Sequence, residues 1–357
     1  MNKKGLIVII LFLIIILTMF IIYYNRDNDN KTIQISNYIV EKYGKSYSYE
    51  IVYSENYNVY GIVYDDSLND ILYKTISLFT YDIKNNDLKF IDTVSNERIV
   101  NYRIINQDVY YLKICSIDKG YKWELVKQNL IENKSNILDS GTISSPISYP
   151  NMFLFKDDII LAIISDLSEY QKFYIKKYKD NNSIILYETR GHKTKKDGQL
   201  AFNLDNYKLI DKHIYYTIID ENNEQILYDY DLETNTYNQK FVNKEADYYL
   251  QDYYFFDDNS YILLADRNDF SKSKMIINDI TIYDTGINTF VKKLNDTSLI
   301  FHNTGDVWQI LDFETKKLNE VNIVDFQTFP NYYIIDNNVI LVQDLYNNDA
   351  YIVNFNY

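Results

Sequence analysis

The chain has a single cysteine, Cys115, so no intramolecular disulfide can staple it. At 357 residues and 46% hydrophobic content it is long enough for its core to suffice. Cys115 lies in the apolar run VYYLKICSI and is expected to be a small buried packing residue. Proline (3) and glycine (9) are scarce, so most turns must be made by other residues. Cationic charge is also short. Lys and Arg number 36 against 50 Asp and Glu, a formal net charge of -14, which argues against binding to nucleic-acid phosphates. The three histidines, His192, His213 and His302, share no metal-ligand spacing, so no zinc site is expected. P-loop, G-x-G-x-x-G and G-x-S-x-G motifs are missing, and no catalytic residue or cofactor is assigned. The paired acids Asp65/Asp66, Asp157/Asp158 and Asp257/Asp258 have no calcium-loop pattern around them and are read as turn chemistry.

What the chain has in abundance is tyrosine (38) and phenylalanine (18), which favour strands, together with Asn and Asp, which tolerate left-handed turn positions. The N-terminus differs from the rest. Residues 5–24 carry no charge, and at ~1.5 Å per residue a helix of that length spans about 30 Å, the thickness of a bilayer core. Lys3 and Lys4 precede the run, and Tyr23 and Tyr24 end it. No small-residue cleavage site follows, so residues 1–24 are expected to be an uncleaved signal anchor with the N-terminus cytoplasmic. Residues 25–31 read as a short linker and 32–357 as one extracytoplasmic domain.

Within that domain, short polar turns recur before apolar strands. Val59, Val109, Ile159, Ile214, Tyr261, Leu299 and Val339 anchor seven such strands, about 38–55 residues apart. Four strands per period of this size is the mark of a propeller blade. A second strand follows each anchor. It reads LFTYD from Leu78, LVKQN from Leu125, IKKYK from Ile175, LYDYD from Leu227, ILDFE from Ile310 and IVNFN from Ile352. In this register both tryptophans, Trp123 and Trp308, take the same position, two residues earlier, and are expected between blades. The fifth unit is short, with Met275–Asn278 and Ile280–Tyr283 as its last two strands. The spacing predicts an all-β, seven-bladed β-propeller, six and eight being the neighbouring counts. The last unit lacks its outer strand, and Thr32–Ser36 is expected to supply it and close the ring.

The tail Tyr-Asp-Leu-Glu-Thr, Tyr230 to Thr234, resembles the turns of bacterial extracytoplasmic propellers of the WD-like and quinoprotein-like kind. The Trp-Asp and Gly-His signatures of true WD repeats are absent. The resemblance covers roughly residues 45–357 and implies the fold, not an activity.

In such a ring the loops between blades share one face with the loops joining second and third strands. Those loops are acidic and carry scattered aromatics. Asp65, Asp166, Tyr170, Asp266, Arg267, Asp344 and Tyr346 are the candidate partner-binding residues there. Arg190 and His192 belong to a basic island, TRGHKTKKDG, suited to an anionic polymer or lipid headgroup. The expected partners are the bilayer, through residues 5–24, and an envelope protein or cell-wall component on the loop face. A glycan-active hydrolase or lyase using loop-face acids is the alternative. A sensory ectodomain is a third reading, weakened by the short cytoplasmic tail.

Overall fold

The computed structural model describes residues 31–65, 74–92, 97–165, 172–179, 181–190, 207–220, 222, 224–256, 259–269, 272–283, 288–303, 308–315, 317–321, 331–336, 339–344 and 349–354. The expected anchor at 5–24 lies outside these residues. Among the described residues no helix is long and apolar enough to cross a membrane.

The strands form seven four-stranded antiparallel sheets, one per blade. In blade one, Tyr47–Glu55, Asn58–Asp65, Lys74–Asp82 and Asp87–Asp92 pair in chain order. All seven anchor residues fall on the second strand of their blade. Blade five is short as expected, ending in Ser273–Ile277 and Ile280–Tyr283. First strands of neighbouring blades lie against one another, as Tyr47–Glu55 does against Arg98–Ile105 of blade two and Asn331–Asp336 of blade seven. They therefore surround the ring axis. The antiparallel order gives the ring two faces. A hairpin face carries the first-to-second and third-to-fourth turns. A loop face carries the second-to-third and inter-blade connections.

The ring closes with the N-terminal strand. Lys31–Ile33 pairs antiparallel with Asp349–Asn354, the third strand of blade seven, with Ile33 opposite Ala350. This strand begins one residue before the expected closure segment and stops short of Ser36, because a helix, Ile35–Tyr43, follows at once. The helix was not legible as one. It is nine residues long, and ISNYIV reads as well as a strand. Ile35 and Ile39, one turn apart, are fully buried with Ile33, Tyr49, Phe79, Leu341 and Ile352, so the helix packs against blades seven and one. It ends at Gly44, whose φ of 101° suits glycine and whose N–H reaches Val40 O at 2.9 Å.

Asparagine and aspartate replace the missing glycines. Asn56, Asn86, Asn106, Asn133, Asp211 and Asn235 all sit at turn positions with φ between 49° and 58°. The recurring third-strand tail is one such turn. Asp231 Oδ1 accepts the N–H groups of Glu233 (2.7 Å) and Thr234 (3.0 Å). Asp82 does the same for Lys84 and Asn85, and Asn129 for Ile131 and Glu132. Tyr230 Oη donates to Asn235 Oδ1 at 3.0 Å, and Tyr81 Oη to Asn86 Oδ1 at 2.6 Å. Asp157 lies in a hairpin turn beside Lys156 (φ 56°), and Asp158 pairs with Lys177 at 2.6 Å, in line with the turn reading of that acidic pair.

The spaces between blades are filled by large side chains. Trp123 packs with Met152 and Ile163 of blade three, and Trp308 meets Tyr332 of blade seven edge-on at 4.7 Å. Both tryptophans thus occupy inter-blade positions. Gly141 leaves room for the first, since a Cβ there would stand 2.7 Å from its indole nitrogen. Buried tyrosines also bridge blades through their hydroxyls. Tyr102 donates to Phe79 O (2.5 Å) and Tyr254 to Val291 O (2.9 Å).

Three buried polar side chains add a second kind of link. The first strands of blades one, two and five are bulged just after Ile51, Ile99 and Leu250. In each case the preceding blade supplies a side-chain acceptor. Gln343 Oε1 takes Ile51 N–H (3.1 Å), Thr75 Oγ1 takes Ile99 N–H (2.8 Å) and Gln225 Oε1 takes Leu250 N–H (2.7 Å). A bulge disturbs the ladder, and these acceptors restore its hydrogen bonding.

Candidate functional site

Of the residues singled out in the sequence, the described ones, Asp65, Arg190, Asp266, Arg267 and Asp344, stand at the loop-face ends of strands in blades one, three, five and seven. Asp65 ends the second strand of blade one, and Arg190 is exposed at the end of the outer strand of blade three. Asp266 and Arg267 are neighbours at the end of the second strand of blade five. Asp266 Oδ1 accepts the N–H groups of Asn268 (2.8 Å) and Asp269 (3.1 Å). Arg267 N–H reaches Asp247 O at 2.8 Å, tying this loop to the segment that precedes blade five. Asp344 differs from its expected place on an open loop. It ends the second strand of blade seven opposite Asp349 and is buried, 4% exposed. Asp166, Tyr170, His192 and Tyr346 lie outside the described residues. Cys115 also departs from expectation. It is half-buried near the loop face, with Sγ 3.7 Å from Lys122 O, and burial is the first cause that pushes its thiol pKa up, with Glu97 next.

Sequence reasoning missed a group on the first strands, around the axis. Glu50 of blade one, Arg98 of blade two, Tyr149 of the segment before blade three and Tyr333 of blade seven act on one another electrostatically. Glu50 keeps an open surface, yet protein surrounds it closely, as befits a residue beside the axis. That crowding raises its carboxyl pKa, and Arg98 opposes the rise. Burial raises the Tyr149 hydroxyl first and Glu50 second, and it raises Tyr333 as well. Tyr333 Oη donates to Ile51 O at 2.5 Å, which fixes its ring beside the blade-one strand.

Arg98 opens its strand and Tyr149 precedes one, so both stand at the loop-face end of the axis. Beside them runs an ion-pair ladder across blade two. Glu97 meets Lys113 Nζ at 2.5 Å, Lys113 meets Glu124 at 2.9 Å, and Glu124 meets Lys122 at 2.6 Å. The ladder leaves Glu124 with a lowered carboxyl pKa despite its burial, through Lys122 and Lys113.

The other end of the axis is basic. Lys208 of blade four, Asp252 of blade five and Lys292 of blade six lie opposite Tyr215, Leu263 and Ile300, nearer the hairpin turns than Arg98 and Tyr149 are. Lys208 and Asp252 form an ion pair. Desolvation lowers the Lys292 ammonium pKa first and Lys208 second, while Asp252 raises it. A charge inside a first strand was the available signal for Glu50, Asp252 and Lys292, as in SYEIVYSE and NTFVKKLN, and no such signal marked the others.

One further polar cluster lies between blades four and five. The fully buried Asp229 stands 2.8 Å from His213 Nδ1 and 3.5 Å from Lys240 Nζ. Tyr215 and Phe255 stack at 5.1 Å nearby. Among the described residues no group of three or more His, Cys, Asp or Glu side chains could hold a metal ion.

The architecture settles what kind of molecule this is. The chain is a closed seven-bladed β-propeller. No protein-family profile matches it. Its fold is similar to oligogalacturonate lyase in complex with manganese, at a TM-score of 0.54 and 6% identity, covering 87% of this chain and 91% of the other. It is also similar to the β-propeller domain of the Trilobed protease from Pyrococcus furiosus, at 0.51 and 12%, covering 84% and 89%. That propeller has an open velcro topology. Here Lys31–Ile33 pairs with the last blade and shuts the ring. In sequence, Protein Ycf2 of Physcomitrium patens is 24% identical over 358 residues, 91% of this chain. The chain spans only 14% of that protein's length. Likeness at these identities establishes the fold alone.

Proposed function

We propose that this propeller is a membrane-anchored, extracytoplasmic binding or scaffolding module for an envelope protein or a cell-wall component. The observation that carries the reading is the polar mouth of the axis on the loop face. Glu50, Arg98, Tyr149 and Tyr333 converge there from four parts of the ring, each on a first strand or the segment leading into one. A carboxyl and a guanidinium flanked by tyrosines supply directional polar contacts and aromatic area together, the composition that interface hot spots favour. The blade-two ion-pair ladder holds Glu97, next to Arg98, in place, so little order is lost there on binding. Anchoring by residues 5–24 rests on their length and lack of charge.

The test uses the full chain solubilised from its native membrane, as wild type and as the Arg98→Glu variant. A partner protein or cell-wall fragment should co-purify with the wild type and be lost from the variant. Equal recovery from both would remove the polar mouth from the account. The second reading, a glycan-active enzyme, is favoured by one feature, the raised pKa of Glu50, which suits a general acid. Glycan turnover by the purified chain that Glu50→Gln abolishes would establish it instead.

A further inference from the structure

Where the N-terminal segment joins the ring determines which face meets the membrane. Lys31 lies opposite Ile352 and Ile33 opposite Ala350, so the closing strand runs from the hairpin face towards the loop face. The chain before Lys31 therefore leaves the ring on the hairpin side, at the outer edge of blade seven. Thirty residues precede this point, and they include the uncharged run at 5–24.

Among the described residues, most of the exposed large apolar side chains lie towards the same face. Ile131 sits in the third-to-fourth turn of blade two, and Ile137 in the first half of its outer strand. Ile184 and Ile185 follow the corresponding turn of blade three, Tyr237 that of blade four and Ile280 that of blade five. They are 52–70% exposed. Three other exposed residues lie elsewhere: Val40 on the helix Ile35–Tyr43, and Ile117 and Ile147 on separate segments of the loop face. In a ring of seven, blades two to five centre on the side opposite blade seven. The apolar rim thus lies across the ring from the point where the N-terminal segment leaves. These side chains stand one or two to a blade along the outer strands and their turns.

We propose that the rim on blades two to five rests on the lipid bilayer, so that the propeller lies hairpin face down. The inference rests on the membrane-anchor reading above. A tether on one side and apolar contact on the other would hold the disc flat and turn the loop face outward. The rim need not be basic for this. A net charge of -14 disfavours anionic lipid, so the contact is apolar insertion rather than electrostatic attraction. Tyrosine suits the headgroup level, and isoleucine the acyl chains just beneath it.

The test keeps the full chain in a Cys115→Ser background. Single cysteines replace Ile137, Ile184 or Tyr237 on the rim, or Ile147 on the loop face, and each carries an environment-sensitive fluorophore. The protein is reconstituted into phosphatidylcholine vesicles with nitroxide-labelled acyl chains. Rim labels should shift to the blue and lose emission to the nitroxide, while the Ile147 label keeps its aqueous spectrum. Protein that fails to float with the vesicles would overturn the anchor itself. Protein that floats with unquenched rim labels would overturn the orientation alone. Rim labels shielded from aqueous iodide but untouched by the lipid nitroxide would show a second copy covering the rim, and would also overturn it.

Discussion

Gln343 and Ile51 are nearly three hundred residues apart in sequence, yet one carboxamide joins them. Gln343 Oε1 accepts Ile51 N–H at 3.1 Å, and its Nε2 donates to Tyr49 O at 3.0 Å. The side chain is fully buried and links the last blade to the first. Gln343→Leu would leave both backbone groups without partners, at a cost of about 1–3 kcal/mol. A lowered urea midpoint with an unchanged slope is the expected result. Faster hydrogen exchange at Ile51 should accompany it.

Closure by the N-terminal strand makes a broader demand. Removing residues 31–40 exposes the edge of Asp349–Asn354 and takes Ile33, Ile35 and Ile39 from the core. Each such buried isoleucine is worth about 2–5 kcal/mol against alanine. Thermal melting should show the whole ring destabilised. A truncated chain that melts like the parent would mean that the ring does not depend on this strand.

Turn chemistry is tested at Asn106, which stands at φ 55° between the first two strands of blade two. Asn106→Gly should leave stability within about 0.5 kcal/mol, since glycine takes this conformation freely. Asn106→Val should cost about 1–2 kcal/mol, because a β-branched L-residue is strained there. Denaturant melts of the pair separate backbone strain from any loss of contacts.

Two carboxylates should titrate in opposite senses. Glu124 has a lowered pKa from Lys122 and Lys113, so its charged form stabilises the fold above the ordinary value of 4.5. That contribution is lost as pH falls through its folded-state pKa. Glu50 has a raised pKa, so its charged form is disfavoured above the folded value, and the penalty is relieved as pH falls through it. At neutral pH, Glu124→Gln should therefore be less stable than the parent, and Glu50→Gln as stable or more so. Side-chain carboxyl chemical shifts followed against pH would read both midpoints directly.

The ring was legible because its repeat lies in short-range patterns. Val59, Val109 and Ile159 each follow a polar turn, and the period of their spacing marks the second strand of a blade. Trp123 and Trp308 aligned because blades two and six bury the same third-strand position against the next blade. The helix Ile35–Tyr43 was hidden because nine residues with two inward isoleucines match strand and helix alike. The bulge acceptors Gln343, Thr75 and Gln225 were hidden for another reason. Their partners lie on the neighbouring blade, and nothing local says that a bulge stands opposite. The axis group was signalled only weakly. Glu50 and Lys292 are charges on apolar strands, but which strands line the axis follows from ring closure rather than from local pattern.

In the proposed arrangement the loop face meets a partner while the opposite face meets lipid. Photo-crosslinking in native membranes tests it in one measurement, with a light-activated amino acid placed at Tyr149 or at Tyr237 of the full chain. Adducts at Tyr149 should be protein or cell-wall glycan, and those at Tyr237 should be lipid. The same adducts at both positions, or partner adducts at Tyr237 alone, would contradict the account.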